Sequence, residues 1–91
     1  MDYVRKMLED ASAAGLEISV ECDGDVDYRG TDAAAADEAV RACDEMSVHL
    51  KQPDGKTVGW ALIINELAED ERIADTSGVW MSRWWEENVP C

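Results

Sequence analysis

The chain has 91 residues and carries 21 acidic against 8 basic side chains, which gives a formal net charge of -13. A chain of this length supports one hydrophobic core, so residues 1–91 are expected to form a single domain. A surface this anionic argues against direct binding to nucleic acid or acidic membranes, and it favours a protein partner whose surface is basic.

Targeting and membrane segments are not indicated by the sequence. No stretch approaches the roughly 18 apolar residues that a membrane-spanning helix requires. Residues 1–6 lack the basic segment and following apolar run of a secretory signal. We therefore expect a cytoplasmic protein without a membrane partner.

The cysteines Cys22, Cys43 and Cys91 are odd in number and lack C-x-x-C spacing, which indicates neither a disulfide framework nor a zinc site. If Cys22 ends a strand and Cys43 ends the helix packed antiparallel on it, the two thiols lie at opposite ends of the layer. They would then be too far apart to form a disulfide. Buried structural thiols are the expectation.

An amphipathic helix is predicted first, because apolar residues recur at helical spacing near the N-terminus. Asp2 stands at its start, and Gly15 supplies the left-handed residue that commonly ends a helix. The apolar positions are Val4, Met7, Leu8 and Ala11.

A strand and a second helix follow. Residues 16–22 alternate apolar with acidic or polar side chains, the pattern of a strand with one buried face. Residues 23–30 are rich in Asp and Gly and predict a loop. Thr31 or Asp32 can then cap a helix that runs to about residue 45. Its expected inward residues are Ala35, Ala36, Ala39, Val40 and Cys43.

The clearest hairpin spans residues 47–65, with Pro53, Asp54 and Gly55 as its turn. Its second strand is apolar on both sides, which predicts an interior position in the sheet. We expect one side of this strand to lie on an uncovered sheet face. That side consists of Gly59, Ala61 and Ile63, and the other of Val58, Trp60, Leu62 and Ile64.

The last predicted elements are an acidic connection over residues 66–75, containing a helical turn, and a helix from Thr76 or Ser77 that ends before Pro90. The order α-β-α-β-β-α predicts an α+β fold, a three-stranded antiparallel or mixed sheet with helices on one face. Trp60 and two of the other three tryptophans are expected in the core. Trp84 or Trp85 is then left partly exposed as an interface anchor.

Catalytic and metal sites are not predicted. An EF-hand loop counted from Asp23 would need Gly at its sixth position and Glu at its twelfth, where the chain has Tyr28 and Ala34. His49 is the only histidine, and it alternates outward from the sheet with no nucleophile assigned beside it. We therefore expect no enzyme activity, no cofactor and no metal.

The negative charge is unevenly distributed along the chain. Residues 17–32 contain six acids and one base, and residues 66–75 contain five acids and one base. The two blocks contribute -5 and -4, together -9 of the net -13. A general adaptation to high salt would spread acids more evenly, so the clustering favours a binding surface.

Acidic side chains at regular intervals could imitate a polyanion. Along an extended chain, Asp23, Asp25 and Asp27 would project from one side about 6.6 Å apart, near two rises of a DNA strand at about 3.4 Å each. Such carboxylates could occupy a groove built for phosphates. The predicted partner-binding residues are Glu17, Glu21, Asp23, Asp25, Asp27, Asp32, Asp37, Glu38, Asp44 and Glu45.

In size and charge the whole chain resembles the phage-encoded acidic nucleic-acid mimics, including anti-CRISPR proteins. No diagnostic motif carries the resemblance, so no binding residue is transferred from that group. It implies a non-enzymatic inhibitor or regulator that binds a basic, nucleic-acid-handling protein and blocks its groove.

A second hypothesis is an interaction or scaffold module, with acidity that reflects solubility or a halophilic source. Such a module would use an apolar patch, including for homodimer formation. The residues expected there are Gly59, Ala61 and Ile63 with Trp84 or Trp85.

Overall fold

A computed structural model describes residues 2–90; Met1 and the predicted structural thiol of Cys91 lie outside the described residues. Within this range the chain forms three α-helices and a five-stranded antiparallel sheet, which confirms the α+β class. The elements are α1 (Tyr3–Ala13), β1 (Glu17–Cys22), β2 (Asp25–Gly30), α2 (Ala33–Val40), β3 (Glu45–Lys51), β4 (Thr57–Ile64), a 3-10 turn (Glu69–Glu71), β5 (Ile73–Ser77) and α3 (Val79–Asn88).

The strand order is β2-β1-β3-β4-β5. The predicted three-stranded sheet was therefore wrong, because it lacked the two edge strands β2 and β5. Residues 23–30, predicted as a loop, form a tight turn and β2. Residues 73–77 pair with β4 as β5, which delays the start of α3 to Val79. Both edge strands are short and mostly exposed, so their sequences lack the apolar alternation that marks a half-buried strand.

Helix α2 ends at Val40, five residues before the predicted end. Asn65, just after β4, holds this end in place, because its side-chain amide donates to the carbonyl oxygens of Val40 and Cys43. Residues 41–44 then return the chain to the sheet, where β3 begins at Glu45. The end of α2 therefore lies beside the end of the sheet rather than continuing past it.

One hydrophobic core lies between the sheet and all three helices. On β4, Ala61 and Ile63 are fully buried, and a Cβ on Gly59 would lie 3.1 Å from the Cβ of Met81 in α3. The expectation that Gly59, Ala61 and Ile63 form the uncovered side was therefore wrong. Small residues permit the close approach of a helix, so they mark the covered face.

The sheet's other face, which we call the open face, is not covered by a helix. Trp60, Leu62 and Ile64 alternate with the buried positions of β4 and are partly exposed there. The prediction of Trp60 as a core residue was thus wrong. In contrast, Trp84 is only 4% exposed, so it belongs to the core and is not an interface anchor; Trp85 is partly exposed.

Trp84 joins α3 to α1 through a charged hydrogen bond. Its indole Nε1 donates to Asp10 Oδ2 at 2.8 Å, and Lys6 Nζ lies 3.0 Å from the same oxygen. Partial burial raises the pKa of Asp10, but the hydrogen bonds from Trp84 and Lys6 outweigh it and hold the pKa below its ordinary value. A carboxyl with a lowered folded-state pKa stabilises the fold above its unfolded-state pKa.

We expect Asp10→Asn to lower the free energy of unfolding by about 1 kcal/mol at neutral pH, because two charge-assisted bonds are replaced by weaker neutral ones. The difference from the parent should shrink below about pH 4 and vanish once the parent carboxyl is protonated. Urea unfolding at several pH values measures it, with Asp70→Asn in the exposed 3-10 turn as control. A cost independent of pH would contradict the assigned role.

None of the helices within residues 2–90 combines the length and apolar character needed to cross a bilayer.

Candidate functional site

Six carboxylates gather where the β1–β2 turn meets the connection from α2 to β3. Four of them line a cleft of about 510 Å³ together with Cys22 and Cys43. The fifth is the carboxylate of Asp25, which is opposite Cys22 in β2, and the sixth is that of Asp27, which lies beside both thiols. We call this group the acidic end; its residues are Glu21, Asp23, Asp25, Asp27, Asp44 and Glu45.

A tight hairpin turn and a β-bulge shape the acidic end. Asp23 and Gly24 have φ values of 51° and 86°, typical of the two-residue turn that matches the twist of a hairpin. The bulge places Val26 opposite Glu21 and leaves Asp27 as the additional residue. The predicted straight row of Asp23, Asp25 and Asp27 is therefore not formed, since its first member lies in the turn and its last in the bulge.

Four of the ten predicted partner-binding residues lie outside the acidic end. Glu17 is at the opposite end of β1, 3.9 Å from Arg29, and Asp32 caps α2 by accepting from the amides of Ala34 and Ala35. The remaining two are in α2, where Glu38 is exposed and Asp37 is largely buried. Of the predicted extension along a longer helix, only Asp44 and Glu45 join the acidic end, because α2 ends at Val40 and the two residues follow it.

Basic side chains pair with carboxylates elsewhere in the molecule. Asp37 Oδ2 binds Arg5 at 3.4 Å and Arg41 at 3.2 Å, and Asp2 binds Arg41 at 2.9 Å and Arg72 at 3.3 Å. With Lys6 and Arg29 also paired, five of the chain's 8 Lys and Arg residues are engaged away from the acidic end.

The charge of the acidic end is therefore left largely uncompensated. Among residues 2–90, no lysine or arginine lines the cleft or forms an ion pair with these six carboxylates. Glu21 Oε2 lies 3.3 Å from His49 Nε2, a pair that is ionic only when the histidine is protonated. His49 projects from the sheet, as the alternation predicted.

The thiols of Cys22 and Cys43 lie together, in a cluster whose three ligand atoms, including a carboxylate oxygen of Asp27, are all within 4.8 Å of one another. The expectation that these thiols lie at opposite ends of the layer was wrong, because α2 ends early and its connection returns beside the β1–β2 turn. Both residues are partly exposed rather than buried.

The local environment favours the protonated form of the Cys22 thiol. A hydrogen bond with Cys43, partial burial and the negative charges of Asp23 and Asp27 raise the pKa of Cys22 to about 11. A thiol is nucleophilic only as its thiolate. At neutral pH, Cys22 is therefore a poor nucleophile.

A second candidate surface is the apolar stripe of Trp60, Leu62 and Ile64 on the open face. Cross-strand neighbours on β3 and β5 flank it with polar side chains, including His49 opposite Trp60 and Asp75 opposite Leu62. This arrangement is an apolar centre with a polar rim, as in many protein interfaces.

Comparisons with protein-family profiles, with curated proteins and with solved structures found no match. The acidic end and the open face are therefore the two surface features that bear on function.

Proposed function

We propose that the chain is a non-enzymatic inhibitor or regulator that binds a basic, nucleic-acid-handling protein through its acidic end. The observation that carries the proposal is a cleft lined by four carboxylates, with two more on the adjoining strand β2 and no pairing lysine or arginine in residues 2–90. By contrast, the less exposed carboxylates of Asp2 and Asp37 are each paired with two arginines.

The cleft suggests how the acidic end would engage such a partner. An arginine or lysine that normally contacts phosphates projects from the partner's surface, and the cleft offers it Glu21, Asp23, Asp44 and Glu45. Arginine pairs with carboxylate in the same two-pronged geometry as with phosphate. Nucleic acid and the acidic end would then compete for the same side chains.

This mechanism is that of a nucleic-acid mimic, and an anti-CRISPR type of inhibitor is one form of it. It does not require carboxylates at the regular spacing of phosphates. It requires a locally high negative potential in a shape that a basic groove or finger can enter.

The experiment is a capture of partners from lysate of the source cells on the immobilised chain at two salt concentrations. At about 0.1 M salt the Debye length is about 10 Å, and at about 1 M it is about 3 Å. Basic nucleic-acid-binding proteins should be retained at the lower concentration, released at the higher one and displaced by added double-stranded DNA.

The open face supports a second candidate function, an interaction or scaffold module that includes self-association. Its contacts are apolar, so the partner would remain bound at about 1 M salt, would not be displaced by DNA and would be lost with Trp60→Ala. That result would contradict the proposal based on the acidic end.

A further inference from the structure

Cys22 and Asp27 belong to the β1–β2 hairpin, and Cys43 comes from a separate segment of the chain. Cys22 ends β1, Asp27 is the additional residue of the β2 bulge, and Cys43 lies between α2 and β3. Their two sulfur atoms and a carboxylate oxygen lie within 4.8 Å of one another. The convergence is thus a product of the tertiary structure and not of a local sequence motif.

The bulge is what makes Asp27 available to this cluster. If the pairing of Val20 with Tyr28 continued without interruption, Asp27 would lie opposite Glu21. The bulge instead places Val26 there. Bulges commonly re-aim a side chain beside functional sites.

We propose that Cys22, Cys43 and Asp27 bind a thiophilic divalent metal ion, with Zn²⁺ as the reference case. Zinc takes sulfur at about 2.3 Å and carboxylate oxygen at about 2.0–2.2 Å in a tetrahedron, which sets two sulfur ligands about 3.8 Å apart. The donor atoms already lie within 4.8 Å of one another, so the two sulfur atoms would have to approach by at most about 1 Å to reach that spacing.

Charge and stoichiometry agree with this assignment. Binding releases one proton from each thiol, and a 2+ ion with two thiolates and one carboxylate carries a net charge of -1. The carboxylates of Asp23 and Asp44 line the adjoining cleft and attract a cation. Three protein ligands leave a fourth position for water or for one of these carboxylates.

The bound ion would join the β1–β2 hairpin to the connection between α2 and β3, the two segments that border the cleft. Its two sulfur ligands are not among the carboxylates proposed to bind the partner, so metal binding and partner binding can be measured separately. Either can fail without the other.

The test is titration of the full chain carrying Cys91→Ser with Co²⁺ and then Zn²⁺, under a non-thiol reductant that prevents disulfide formation. We expect one Co²⁺ per chain, with a near-ultraviolet thiolate-to-metal band that Zn²⁺ abolishes. Because the loss of an outer-shell partner alone typically weakens metal binding about 10- to 100-fold, loss of a ligand should cost at least as much, about a hundredfold or more for Cys22→Ser or Cys43→Ser and at least about tenfold for Asp27→Asn. Asp25→Asn is the matched control, and it should keep the band because its carboxylate is outside the cluster.

Saturable Co²⁺ binding without the thiolate band, or a band that persists in Cys22→Ser, would overturn the proposal and leave only cation condensation on acidic side chains. Absence of stoichiometric binding would overturn it as well. If the serine variants do not fold, the band in the Cys91→Ser chain and a zinc-dependent rise in its melting temperature still decide the question.

Discussion

Neutralising three carboxylates of the cleft should weaken binding to a basic partner by about a hundredfold at low salt. The variant combines Asp23→Asn, Asp44→Asn and Glu45→Gln, which line the cleft and lie outside the thiol cluster. If each lost charge pair contributes about 1 kcal/mol, the three together correspond to about two powers of ten in Kd. Calorimetry against the captured partner at two salt concentrations measures the effect.

The matched control removes the same charge from another part of the surface. Glu69→Gln, Asp70→Asn and Glu71→Gln neutralise the exposed acids of the 3-10 turn and should change Kd by less than about threefold, since screened charges act weakly over distance. An equal loss in both variants would mean that total charge matters and position does not. That outcome favours the solubility or halophilic interpretation.

The α+β class could be predicted from periodicity, because apolar residues recur at helical spacing in α1 and alternate in β1 and β3. β2 and β5 could not, since an edge strand has only one neighbouring strand and tolerates exposed polar residues such as Asp25 and Asp75. Their pairing is determined by backbone hydrogen bonds, which leave little trace in side-chain pattern.

The alternation of residue types in β4 also could not predict which of its sides meets the helices, because both sides are apolar. Size decides it. Gly59 and Ala61 leave room for Met81 of α3, whereas Trp60 on that side would push the helix away. A rule that the smaller face of an interior strand is the covered one would have identified the open face correctly.

Six of the ten predicted site residues meet at the acidic end, so clustering along the chain predicted part of the clustering in space. The thiol pair was missed, since Cys22 and Cys43 are brought together by the early end of α2 and the tight turn after β1. The arrangement depends on Asn65, whose side-chain amide donates to the carbonyl oxygens of Val40 and Cys43. A long-range contact of that kind is not visible in local periodicity.

Gly78→Ala should be strongly destabilising, lowering the free energy of unfolding by about 4 kcal/mol. Gly78 precedes α3 with φ 95° and ψ 152°, a region that is essentially closed to other residues and costs about 1–3 kcal/mol. Its added Cβ would also lie 2.6 Å from the carbonyl oxygen of Val58 and 2.8 Å from the Cα of Gly59. Both are backbone atoms of β4, so relief requires the strand and α3 to separate, with an overpacking cost of about 1–3 kcal/mol.

Gly55→Ala is the control that shows backbone strain without the steric clash of the added Cβ. Gly55 has φ 88°, but no atom lies within 4 Å of an added Cβ, so only the backbone strain of about 1 kcal/mol should appear. Urea unfolding of both variants, compared at equal m-values, gives the difference. Equal destabilisation would mean that β4 and α3 move apart freely, and the tight packing of α3 over Gly59 would then not be what positions the helix on the sheet.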